Sequence, residues 1–216
     1  MTTWNILLVD SSASMFSNKD SVDKGISNLF SEQQNNTDRF TFLTFNTAVK
    51  PIIDAKFSEI SYLELINSIT NTGLTALYDA IGHVYELINS EYTTNVSFMV
   101  ITDGYENSSK LHNLNSLKDL RETIDKKCNL NVSFICEDKD CLENNSSIIS
   151  HANESCEISG DYGEAFREVS RTMSNLRHPS TVQSYSVEDT NENKLMSKPI
   201  VKRQQSYCGE KKARLS

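Results

Sequence analysis

The stretch Trp4-Asn5-Ile6-Leu7-Leu8-Val9-Asp10-Ser11-Ser12-Ala13-Ser14 constrains the fold more than any other. Its first half is apolar without alternation and too short to be anything but a strand. A strand with no polar face is covered on both sides, which is how the central strands of parallel sheets read. At its C-terminal end the chain changes character and places Asp10, Ser12 and Ser14 at alternate positions. Ligands of open α/β sheets bind in the crevice beyond the carboxyl ends of the strands, so this polar switch marks a candidate site. Side chains that offer only oxygen suit hard cations such as Mg²⁺, with Mn²⁺ or Ca²⁺ as alternatives, over zinc. The competing reading is local: Asp10 and Ser12 are also good caps for a following helix.

The rest of the chain supplies the layers such a strand needs. Asn18 or Asp20 is placed to cap a helix that carries Val22, Ile26, Leu29 and Phe30 on one face. Phe40 to Phe45 reads as a strand, and the short turn at Asn46-Thr47 makes Val49 to Ile53 its antiparallel partner. Pro51 assigns that partner to an edge, where a missing N–H is tolerated. A helix is expected over 60–69 with Leu63 and Ile66 inward and Leu65 as a further candidate. A longer one from Ala76 carries Leu77, Ala80, Ile81, Val84 and Ile88. Val96 to Ile101 is a second central strand, and it too runs into a carboxylate, Thr102-Asp103-Gly104. Leu114, Leu117, Leu120 and Ile124 mark a helix, Val132 to Cys136 a strand, 147–152 a short helix, 156–158 a brief strand. Phe166, Val169, Met173 and Leu176 give a closing helix. This alternation predicts an α/β fold: a doubly wound, Rossmann-like, mostly parallel sheet with one antiparallel edge strand and helices on both faces.

From His178 the periodicity stops, so residues 1–178 are expected to form one domain and 179–216 a basic, disordered tail. The 216 residues carry a net charge of −8. From Ser180 onward seven basic residues face four acidic ones, which leaves −11 on the first 179. A body this acidic argues against nucleic acid as its partner. No run approaches the ~18 apolar residues of a membrane span, and strand-like sequence begins by Trp4, leaving no room for a signal peptide. The expected location is the cytoplasm. Five cysteines without a CxxC pair do not read as a disulfide framework, and Cys136, Cys141, His151 and Cys156 match no zinc module.

Three stretches stand out together: Asp10-Ser11-Ser12-Ala13-Ser14, Gly73-Leu74-Thr75-Ala76-Leu77 and Ile101-Thr102-Asp103-Gly104. In order and in placement the set resembles the von Willebrand factor A domain family with its metal-ion-dependent adhesion site, over roughly residues 3–177. The resemblance implies that Ser12, Ser14 and Thr75 offer hydroxyl oxygens to a divalent cation. Asp10 and Asp103 would act mainly through waters and hydrogen bonds around it. It further implies a partner protein that presents an Asp or Glu to the metal. The expected rim is Ser11, Met15, Phe16, Asn46, Tyr105, Glu106 and Asn107, with Met15, Phe16 and Tyr105 as apolar anchors.

The function expected is therefore a cytoplasmic, non-enzymatic, cation-dependent protein-interaction domain. By analogy with intracellular relatives it would work in a stress-response or AAA+ ATPase assembly. The main rival is a metal-dependent phosphatase or phosphotransferase using Asp10. Against it, Ser12 stands where haloacid-dehalogenase-type enzymes want a second acid, and no Gly-x-Ser-x-Gly elbow or P-loop is present. A third reading gives the work to the basic tail.

Overall fold

The structure, a computed structural model, describes residues 3–177. In chain order its elements are β1 (Trp4–Asp10), α1 (Lys19–Glu32), β2 (Arg39–Phe45), β3 (Val49–Lys56), α2 (Tyr62–Ser68), α3 (Leu77–Ser90), β4 (Asn95–Thr102), α4 (Leu114–Ile124), β5 (Asn129–Cys136), α5 (Lys139–Asn144), α6 (Ser146–Ile149), β6 (Glu154–Glu157) and α7 (Tyr162–Arg177). Short 3₁₀ turns occupy Ala13–Asn18 and Phe57–Glu59.

The six strands form one sheet in the order β3-β2-β1-β4-β5-β6. All neighbours are parallel except β2 and β3, as the tight turn requires, and β3 with its Pro51 lies at the edge. Every residue of β1 is buried, because helices cover the sheet on both sides. Trp4, Ile6 and Leu8 face one core with α3 and α4, through Leu77, Ala80, Ile81, Val84, Leu117 and Ile124. Leu7 and Val9 face the other with α1, α2 and α7, through Val22, Ile26, Leu29, Leu65, Phe166, Val169 and Met173. The unalternating strand is thus a strand with two cores.

Two local expectations need correction. In α2 Leu65 is buried and the half-buried Ile66 packs against the same core, as expected, whereas Leu63 is exposed. A helix of seven residues makes less than two turns, too little for spacing to define its inner face. The single short helix expected over 147–152 is instead the pair α5 and α6, ending at Ile149. Among the described residues no helix is long and apolar enough to cross a membrane. The basic stretch from Ser180, with the tail expected there, lies outside the described residues.

Candidate metal centre

Strand order determines where the site sits. From β1 the chain leaves to β2 on one side, and β4 returns on the other, so the order reverses between β1 and β4. A crevice opens at such a reversal, outside the carboxyl ends of the two strands. Register pairs Val9 with Ile101, so Asp10 and Thr102 finish side by side and Asp103 follows at once.

Thr102 donates its hydroxyl to Asp10 Oδ2 at 2.7 Å, and the Ser12 N–H donates to Asp10 Oδ1 at 2.8 Å. Ser12 Oγ and Ser14 Oγ are 3.0 Å apart, and Ser14 Oγ donates to Asp103 Oδ1 at 2.9 Å. Thr75 comes in from the loop ahead of α3. That loop is tied down by the Thr72 N–H to Ser11 O (2.8 Å) and the Ala13 N–H to Gly73 O (3.1 Å). Gly73 stands at φ +80°, where an L side chain is strained, and a Cβ there would meet Thr47 Oγ1 at 2.6 Å. A Cβ at Gly104 would lie 3.1 Å from Thr75 Oγ1 and 3.7 Å from Asp10 Oδ2. Glycine at this position keeps open a cradle lined by a hydroxyl and a carboxylate. The structure therefore brings Asp10, Ser12, Ser14, Thr75 and Asp103 together from three loops.

The capping readings of these residues do not hold. Ser12 is the N-cap of the 3₁₀ turn but makes no capping bond, and α1 is entered through Asn18. The N-cap of α3 is Ala76, one residue past Thr75. Its free N–H groups are met from elsewhere: Glu106 Oε2 accepts from Tyr78 N (2.8 Å) and Ser109 Oγ from Asp79 N (3.0 Å). The Asp and Ser side chains at the crevice are thus not committed to starting a helix.

Two carboxylates close together in a partly dry crevice cannot both ionise at no cost. Burial raises the Asp10 carboxyl against the hydrogen bonds from Thr102 and Ser12. Burial and then the charge of Asp10 push Asp103 up to about 6, with Ser14 opposing. A positive charge placed between them would relieve both effects. Among the described residues no group of three or more His, Cys, Asp or Glu is arranged to hold a metal. Any cation here would depend on hydroxyl oxygens.

The expected rim divides. Phe16 and Tyr105 are exposed, at 73% and 47%, and Asn107 is exposed as well. Asn46, half-buried, closes a turn by accepting from Ala48 N. Glu106 is drawn inward, accepting also from Ser108 N, Ser109 N and Ser109 Oγ, while Asn107 Oδ1 accepts from Thr75 N. Two rim assignments fail. Met15 is buried among Val22, Ile26 and Tyr162, because the 3₁₀ turn after Ser12 rotates it beneath the loop. Ser11 is buried and donates to Phe45 O at 3.0 Å. The spacing also missed Thr102, the most direct support of Asp10. Its place as the last residue of the neighbouring central strand was the available signal.

An open α/β sheet with an oxygen-lined crevice at its strand-order reversal defines a class, the Rossmann-like domains that hold a ligand on loops at one rim. A family model described as the von Willebrand factor type A domain matches residues 6–148, and the chain belongs to that family. Solved structures of similar fold include a von Willebrand factor type A protein from Catenulispora acidiphila (12% identity, TM-score 0.57), of which the chain covers 43% with 80% of its own length. The ArnB paralog VWA2 from Sulfolobus acidocaldarius aligns at 17% identity and TM-score 0.58, covering 78% of this chain and 44% of that one. The vWF domain of the type V pili tip protein Mfa5 from Porphyromonas gingivalis aligns at 8% and 0.58, covering 85% and 99%. The chain spans less than half the length of the first of these structures. The search of curated proteins found no match.

Proposed function

We propose that this chain is a protein-interaction domain that binds a partner's carboxylate through a divalent cation, Mg²⁺ in the first place, with Mn²⁺ or Ca²⁺ as substitutes. The carrying observation is the convergence of Asp10, Ser12, Ser14, Thr75 and Asp103 around the glycine-lined cradle at Gly104. Three hydroxyls and two carboxylates fit a hard ion that keeps several waters and needs few acids. Ser12, Ser14 and Thr75 would hold it, and Asp10 and Asp103 would orient those hydroxyls and the waters. When bound, the cation supplies an electrophilic position that attracts an acid in spite of the acidic body. Asp10 is held by Thr102 and the Ser12 amide, so its carboxylate is aimed before any ion arrives.

In this reading the domain works in the cytoplasm and does no catalysis of its own. A stress-response or AAA+ ATPase assembly is the setting we propose. Calorimetry tests the cation: the parent chain takes up Mg²⁺ or Mn²⁺, and the double substitution Asp10→Ala with Thr75→Ala loses at least tenfold in affinity while circular dichroism stays unchanged. Equal uptake by the two proteins overturns the assignment.

A further inference from the structure

Seven large apolar side chains are exposed among the described residues, and three of them stand beside the candidate metal centre. Phe16 is two residues after Ser14, Leu74 precedes Thr75, and Tyr105 is two residues after Asp103. Their exposures are 73%, 55% and 47%. Each belongs to a different loop, and the three loops are stitched together by the Ala13 to Gly73 and Asn107 to Thr75 backbone hydrogen bonds. Exposed apolar groups gathered on one rim mark an interaction surface.

One flank of that rim carries charge. The Asn145 side chain donates to Gly104 O at 3.0 Å, which holds the α5–α6 segment against the loop that continues into Tyr105. Asp138 and Asp140 stand at the start of that segment, both exposed, and Cys141, the next residue, lies with its Sγ 3.9 Å from Gly104 O, beside Tyr105. Between them Lys139 pairs with Glu143 at 2.7 Å and also feels the charge of Asp140, and one lysine against Asp138, Asp140 and Glu143 leaves the segment net negative. Glu137 is half-buried, which leaves Asp138 and Asp140 as the outward charges.

We propose that the segment this domain takes from its partner is an acidic residue with an apolar neighbour and a Lys or Arg neighbour. The apolar group seats on Phe16, Leu74 and Tyr105, and the basic group faces Asp138 and Asp140. This rests on the reading that a cation at the crevice receives the acid. Charge complementarity selects this occupant: a segment of acids alone would meet the cation and then be repelled by the flank.

The probe is an array of short peptides, each with one fixed Glu and varied flanks, overlaid with the full chain in Mg²⁺ and again in EDTA. Capture in Mg²⁺ is expected to favour apolar-plus-basic flanks over acidic ones by about tenfold. Phe16→Ser and Tyr105→Ser are each expected to weaken the best peptides about tenfold and to flatten the apolar preference. Asp140→Lys is expected to flatten the basic preference and leave the apolar one in place, with an unchanged melting temperature showing that the fold survives. Mg²⁺-dependent capture without a flank preference, or with acidic flanks preferred, overturns the inference and leaves the cation reading standing. Capture that is equal in EDTA and in Asp10→Ala overturns the cation reading itself. No capture by the array, from a chain that calorimetry shows to bind Mg²⁺, overturns the inference alone.

Discussion

At the scale of single residues, Asp103 is the group whose chemistry is most exposed to measurement. Its carboxyl is raised from 3.8 to about 6, first by burial and then by the charge of Asp10. Between those two values the folded chain holds a proton that the unfolded chain has lost. Stability of the cation-free protein therefore falls as pH rises through that window and levels off above about 6. Asp103→Asn removes the repulsion and is expected to raise cation-free stability at neutral pH by about 1 kcal/mol, discounted for the exposed part of the carboxylate. Denaturant melts at a series of pH values check both statements, and the variant's curve should keep only the part of the downward slope that the raised Asp10 carboxyl contributes. Cation uptake should show the opposite trend and strengthen up to pH 6, because the proton must leave first. Asp10, Ser12, Ser14 and Asp103 were legible because oxygen-bearing side chains just past the ends of apolar strands have no place in a core. Thr75, in the loop ahead of α3, joined the set only through the resemblance of the three stretches to the von Willebrand factor A family. The roles of Thr102 and Met15 were not legible, since each depends on a neighbouring strand or on the path of a 3₁₀ turn.

At the scale of elements, periodicity was informative wherever an element was long enough to have a face. All five inward residues assigned to α3 are buried, and the β2–β3 pair runs antiparallel at the edge. The short α5 escaped because it buries one side chain, Cys141. Its start was nevertheless written in the sequence: Asp138 accepts from Cys141 N at 2.7 Å, an acid placed three residues before the amide it caps. What no single-element reading supplies is the approach of α1 to α7. Gly25 lies where those helices meet, and a Cβ there would stand 2.3 Å from Phe166 Cδ2. Gly→Ala in a helix interior ordinarily gains about 0.5–1 kcal/mol. Gly25→Ala should instead cost about 2 kcal/mol, because the buried Phe166 ring has no room to retreat. In a double-mutant cycle with Phe166→Leu, the pair is expected to be less destabilised than the sum of the single changes. Additive effects would show that the helices separate freely.

At the scale of the whole molecule, loops from both halves of the sheet meet at the crevice. Ser14 comes from the connection toward β2, whereas Thr75 and Asp103 flank α3 and β4. A cation bound to these side chains would bind only the folded chain, because no short stretch of sequence carries the whole set. Such a ligand stabilises by RT ln(1 + [L]/Kd), which is about 2.7 kcal/mol at a hundredfold excess over Kd. For a domain of this size each kcal/mol moves the melting temperature by roughly 2–4 °C, so saturation should raise it by about 5–10 °C. The rise should grow with the logarithm of Mg²⁺ concentration once past Kd and vanish in EDTA. It should be absent in Asp10→Ala, whereas Asp140→Lys, which touches only the flank, should keep it. A scanning-calorimetry series in Mg²⁺ separates these cases. A shift of equal size in the parent and in Asp10→Ala would mean that the ion acts on the acidic surface at large and not at the crevice.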